Sequence, residues 1–112
     1  SQAGPVVSDI ILEKANAVYP LDNSSVDYFR EFKIRAVGAS ANYRVIVQSN
    51  QYFGEIWSKD FSTNVTNDTV SVLFDMPGLS TGTTYYWRII TFSPDNDQPN
   101  SISNLFNFTI KP

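Results

Sequence analysis

Three groups of residues in this 112-residue chain have the types and spacing to do chemistry. Asp95, Asn96 and Asp97 place three oxygen-bearing side chains in one run, the donor type that a hard cation takes. Calcium needs roughly six to eight oxygens at one point, and this run lacks the glycine and distal glutamate of a known calcium loop. Turn formation explains the segment better, because it is bounded by Pro94 and Pro99 and filled with Asp and Asn. Trp57 and Tyr52, with Phe53 beside them, are candidates for stacking on sugar rings. The competing reading makes Trp57 a cover over the end of a hydrophobic core. The acidic residues also raise a glycosidase pair, which needs two carboxylates a fixed distance apart across a cleft. So short a chain has no insertion from which to build that cleft.

Cysteine and histidine are both absent. Thiol nucleophiles, Ser-His-Asp triads, zinc sites built from Cys or His, and histidine-ligated haem are therefore excluded. No disulfide framework exists either. No catalytic, cofactor-binding or metal-ligating residue is assigned, and the chain is expected not to be an enzyme. The formal net charge is −3 and the eight basic residues are scattered, which argues against a nucleic-acid groove. No stretch approaches about 18 apolar residues, so membrane insertion is not expected. Asn-x-Ser/Thr sequences begin at Asn23, Asn64, Asn67 and Asn107. In a chain so rich in Asn, Ser and Thr they matter only in a eukaryotic secretory host.

The elements that must position these residues read as β-strands. Hydrophobic residues make up 42% and charged residues only 17%, so the surface is finished with neutral polar groups, as suits an all-β domain. Residues 1–9 read as a linker or lead-in and 10–112 as one domain. A short first strand is expected at 10–14, in preference to a helix capped by Ser8 or Asp9 and running to Ala17, which Asn16 and the lack of a 3.6-residue stripe argue against; a turn follows at 20–25. Period-2 alternation predicts strands over 28–37, 43–48, 70–76, 83–93 and 106–110. The apolar but irregular stretch 53–61 predicts a short edge strand near 55–58 with a bend at Lys59-Asp60. Residues 62–68 and 94–100 read as loops. About seven short strands separated by turn signals predict a two-sheet antiparallel β-sandwich.

Within that pattern, Leu79, Gly82, Thr83 and Tyr85 resemble the leucine-to-tyrosine spacing at the E–F corner of fibronectin type III domains. The similarity covers roughly residues 18–111 and departs at Thr81, where the family usually has proline. It implies immunoglobulin-like topology, with Tyr85 as a corner tyrosine whose hydroxyl bonds the backbone a few residues upstream. It further implies that Trp87, Ile89 and Thr91 face inward on strand F, with 43–47 as strand C and 106–110 as strand G. Phe32 or Ile34 must fill the space of the family's inward strand-B tryptophan. An immunoglobulin domain proper fits less well, since Trp87 stands where its core cysteine would be.

If strands C and F are neighbours, Arg44, Ile46, Tyr86, Arg88 and Ile90 share one outward sheet face. Tyrosine, arginine and isoleucine together have the composition of an interaction patch. The plainer reading is cross-strand pairing on an ordinary surface, helped by arginine over an aromatic ring. The run Tyr85-Tyr86-Trp87-Arg88-Ile89 is similar to modules found in large bacterial surface and secreted proteins. The resemblance thus implies an extracellular or cell-surface, non-catalytic module that is monomeric in isolation and contacts neighbouring domains or a protein partner. A carbohydrate-binding module appended to a polysaccharide-processing enzyme is the alternative, and self-association through an edge strand is a third possibility.

Overall fold

The strand with the strongest alternation sets the architecture. In the computed structural model, which describes residues 15–36, 41–63, 68–76, 78–92 and 99–112, Tyr85, Trp87, Ile89 and Thr91 are buried. The residues between them, Tyr86, Arg88 and Ile90, are half-buried. A strand with one face on a core and the other outward must do this, because successive side chains point to opposite faces.

Nine strands and no helix occur among the described residues: β1 (Asn16–Tyr19), β2 (Ser24–Val26), β3 (Glu31–Arg35), β4 (Ala41–Gln48), β5 (Glu55–Thr63), β6 (Thr69–Leu73), β7 (Thr84–Phe92), β8 (Pro99–Ile102) and β9 (Phe106–Ile110). They form a three-stranded sheet, β1-β3-β6, and a six-stranded sheet, β2-β9-β7-β4-β5, with β8 also pairing β7. The fold is all-β with two sheets enclosing one hydrophobic core. Phe32 of β3 sits at its centre. Its ring lies 4.5 Å from Trp87, 4.8 Å from Phe74, 5.0 Å from Phe29 and 5.9 Å from Trp57, centroid to centroid. Edge-to-face and offset ring pairs of this kind add about 0.5–1.5 kcal/mol each beyond the area they bury. Ile34, two residues on from Phe32, is also fully buried.

Four expectations are corrected. The sheets are not wholly antiparallel, because β2 runs parallel to β9, with Ser24 opposite Phe108 and Val26 opposite Ile110. The turn expected over 20–25 gives way to this strand at Ser24. Asn23 turns the chain at φ 61°, a left-handed value that Asn tolerates, and Asp22 Oδ1 accepts from the Asn107 backbone N–H at 2.8 Å. The bend expected at Lys59-Asp60 is absent. β5 runs unbroken for nine residues, with Trp57, Lys59 and Phe61 opposite Val47, Val45 and Tyr43. Lys59 interrupts the apolar row in the sequence but not the strand, since a lysine at a sheet edge can carry its charge outward. Finally, the loop expected over 94–100 yields β8 at its end. Ser103 follows, its Oγ accepting from the Ile89 N–H at 2.8 Å and its own N–H donating to the Ile89 carbonyl at 2.9 Å. That serine carries the ladder on β7 from β8 to β9. The strand expected over 10–14, Asp95–Asp97, and the sequons at Asn64 and Asn67 lie outside the described residues.

At the turn before β7, the Ser80 N–H donates to Tyr85 Oη at 2.8 Å, five residues upstream. Leu79 packs against the core. Gly82 adopts φ 74°, a value that favours glycine, and its N–H donates to the Ile110 carbonyl at 2.7 Å, tying the turn to the end of β9.

The register also fixes the path of the chain. β1 starts at Asn16 opposite Arg35, and Arg35 lies opposite Thr69. β9 ends at Ile110 opposite Val26, beside the turn at Gly82. The Arg35 end of β3 and the Ile110 end of β9 are opposite poles: Ile110, Arg30 and Phe74 line one hollow at the pole where β3 begins. The described chain therefore enters its first strand at one pole and leaves its last strand at the other.

Candidate functional site

The outward face of the six-stranded sheet gathers all five face residues singled out in the sequence. Arg44 lies opposite Ile90, and Ile46 opposite Arg88, because β4 and β7 are antiparallel neighbours in that register. Gln48 opposite Tyr86 and Tyr86 opposite Asn107 extend the rows to β9. Ile46 does not project, however. It is only 5% exposed although it lies outside the core, so it forms the floor of this face.

Arg44 is committed within the face. Its Nε donates to Asp60 Oδ1 at 2.6 Å and its Nη2 to Asp60 Oδ2 at 3.1 Å, a two-pronged pair across β4 and β5. The guanidinium also lies 5.2 Å from the centre of the Phe92 ring. Those hydrogen bonds hold the Asp60 carboxyl below the usual carboxylate range and raise the Arg44 guanidinium. Beside the pair, the Ser62 hydroxyl donates to Asn42 Oδ1 at 2.6 Å. Arg88 is different: among the described residues its buried Nε has no hydrogen-bond partner. The face thus holds one satisfied arginine and one that is not, around an apolar floor.

Asp60, Phe92 and Asn42 were not legible as parts of this face. With β5 read through to Thr63, period-2 alternation alone would have set Asp60 beside Arg44.

The aromatic candidates separate. Trp57 is half-buried, not part of an exposed platform with Tyr52. Its ring stacks on Phe32 at 5.9 Å and meets Phe74 edge-on at 4.9 Å. Its Nε1 donates to Asp75 Oδ1 at 2.9 Å, and that bond, aided by the Lys59 charge, keeps the Asp75 carboxyl low. The cause is register: Trp57 lies opposite the buried Val47, on the inward side of β5. Tyr52 instead stands in the β4–β5 turn, 80% exposed, with Phe53 next to it at 68%.

The two described sequons converge. Asn107 Nδ2 donates to Asn23 Oδ1 at 2.8 Å and to Asp22 Oδ1 at 3.3 Å. These amides close the β2–β9 flank. Among the described residues, no three acidic side chains converge to hold a cation.

No family model matches the chain, and no curated protein matches it.

Proposed function

We propose that the chain is a non-catalytic spacer and interaction module of fibronectin type III-like topology, belonging to a larger extracellular or cell-surface protein. The path of the chain carries this reading. The described strands begin at one pole with β1 and end at the other with β9, a path that suits holding flanking segments apart, as adjacent ends would not. The strand order β1-β3-β6 over β5-β4-β7-β9, and the Tyr85 hydroxyl bonded upstream at a Leu-to-Tyr corner, support the topological assignment. The outward face, with Ile46 as its floor and an Arg88 Nε that has no partner among the described residues, has the mixed composition by which such a module contacts a neighbour. Fold alone dictates no function, so the test must address spacing itself. Two copies joined end to end should give small-angle scattering with a maximum dimension close to twice that of one copy. A pair that folds back flank against flank would remove the spacer role.

A further inference from the structure

The β4–β5 turn holds two aromatic rings in water, and it is not loosely built. The Tyr52 N–H donates to Asn50 Oδ1 at 2.8 Å, and Gln48 Nε2 to the Asn50 carbonyl at 3.0 Å. The Ser49 N–H donates to the Gly54 carbonyl at 2.9 Å, closing the loop. Gly54 sits at φ 87°, and a β-carbon there would lie 2.5 Å from Ser49 Oγ. The turn is folded tightly around a glycine, so the backbone that carries Tyr52 is held beside β7.

Beside it is a depression of about 280 Å³, lined by Ser49, Asn50, Gln51 and Tyr52 from the turn and by Thr84 and Tyr86 from β7. None of these six residues is charged. The lining consists of hydroxyls, carboxamides and two phenol rings. A charged ligand would meet no counter-charge there. Asn50 Oδ1 already accepts from the Tyr52 N–H and the Thr84 hydroxyl pairs with Thr109 at 2.8 Å, but a wholly apolar ligand would cover the Gln51 carboxamide and the Asn50 Nδ2 without giving them a partner. A sugar ring satisfies both sets of groups: its hydroxyls exchange hydrogen bonds with amides and hydroxyls, while its polarised C–H face suits the negative face of an aromatic ring. The volume falls just below the usual range of ligand pockets, roughly 300–1,000 Å³, which is room for one ring and not for a long chain.

We propose that this depression binds a single neutral pyranose unit of a glycan, with Tyr52 and Tyr86 supplying the stacking surface and Asn50, Gln51 and Thr84 the hydrogen bonds. The site is distinct from Trp57, whose indole is held in the core, and it does not depend on the spacer reading. The test is a titration of the ¹⁵N-labelled chain with cellohexaose, maltohexaose, mannohexaose and xylohexaose, followed by amide chemical shifts. At least one probe should move the signals of residues 49–54, 84 and 86 together. Tyr52→Ala, a change at an exposed position, should weaken that binding by roughly tenfold or more, and Phe53→Ala should leave it within about twofold. No response to any of the four probes would overturn the proposal. So would shifts centred elsewhere, or equal losses in Tyr52→Ala and Phe53→Ala, which would mark a merely sticky loop. Because the spacing experiment uses scattering from joined copies, failure of either idea is read independently of the other.

Discussion

β7 and β5 are each nine residues long, each pairs with β4, and each carries an inward tryptophan opposite Val47. Their situations are opposite. β7 has strands on both flanks and every inward side chain from Tyr85 to Thr91 is buried, whereas β5 is the sheet edge and none of its residues is fully buried. The two indoles invert accordingly. Trp87 is completely enclosed but its Nε1 has no hydrogen-bond partner among the described residues, while the half-buried Trp57 has its Nε1 bonded to Asp75. Position in the sheet, not residue type, decides how far each indole is enclosed and whether its polar end has a partner.

The sharpest way to break this comparison is to remove both rings. Trp87→Ala should cost about 3–5 kcal/mol, the range for a fully enclosed aromatic. Trp57→Ala should cost roughly half that, since one side of its ring has no strand beyond it. Urea unfolding at equilibrium reads both values, and equal losses would erase the distinction between centre and edge. Tyr85→Phe comes next on β7. It keeps the ring and removes only the oxygen that accepts from the Ser80 N–H, so about 1–3 kcal/mol should be lost. A change indistinguishable from zero would mean that the corner hydrogen bond contributes nothing to the fold. Trp57→Phe isolates the polar end at the edge. It preserves stacking on Phe32 and deletes the bond to Asp75, for an expected loss of about 0.5–1.5 kcal/mol.

The same contrast explains what the sequence could reveal. β7 was legible because a central strand with one core face obeys strict alternation, and Tyr85, Trp87 and Ile89 announce it. β5 was half-legible: its edge position tolerates Lys59 among inward residues, and that charge looked like the end of the strand. β2 was missed because three residues held by parallel pairing have no pattern of their own. What places them is Asp22 and Asn23, whose side chains bond Asn107 about 85 residues away, a partner no local window contains. The face of Arg44, Ile46, Tyr86, Arg88 and Ile90 followed from alternation plus adjacency of two strands. That Ile46 is covered, and that Arg44 is occupied by Asp60 and Phe92, depends on side-chain reach and not on register. The Tyr52 and Tyr86 depression was hidden for a similar reason, since a turn and a distant strand supply its two halves.

Acid provides the gentlest probe of the two strands. β7 contains no carboxylate, whereas Asp60 of β5 and Asp75, which holds the β5 tryptophan, both have carboxyls depressed by hydrogen bonds. A depressed carboxyl stabilises the fold above its unfolded pKa, near 3.9, and that contribution is lost as pH falls through the lower folded value. Stability should therefore decline below about pH 4, and the first amides to lose exchange protection should belong to β5 and not to β7. Asp60→Asn should flatten that decline only slightly. Both partners of the Arg44 pair are substantially exposed, and water and salt screening keep such a pair to about 1 kcal/mol or less. The difference between the variant and the native chain should shrink further in roughly 1 M salt, where the screening length falls to about 3 Å. If the acid response were instead unchanged by salt and by Asp60→Asn, the ion pair would add nothing to the edge, and the ladder to β4 with the packing of Trp57 on Phe32 and Phe61 on Tyr43 would hold β5 in place.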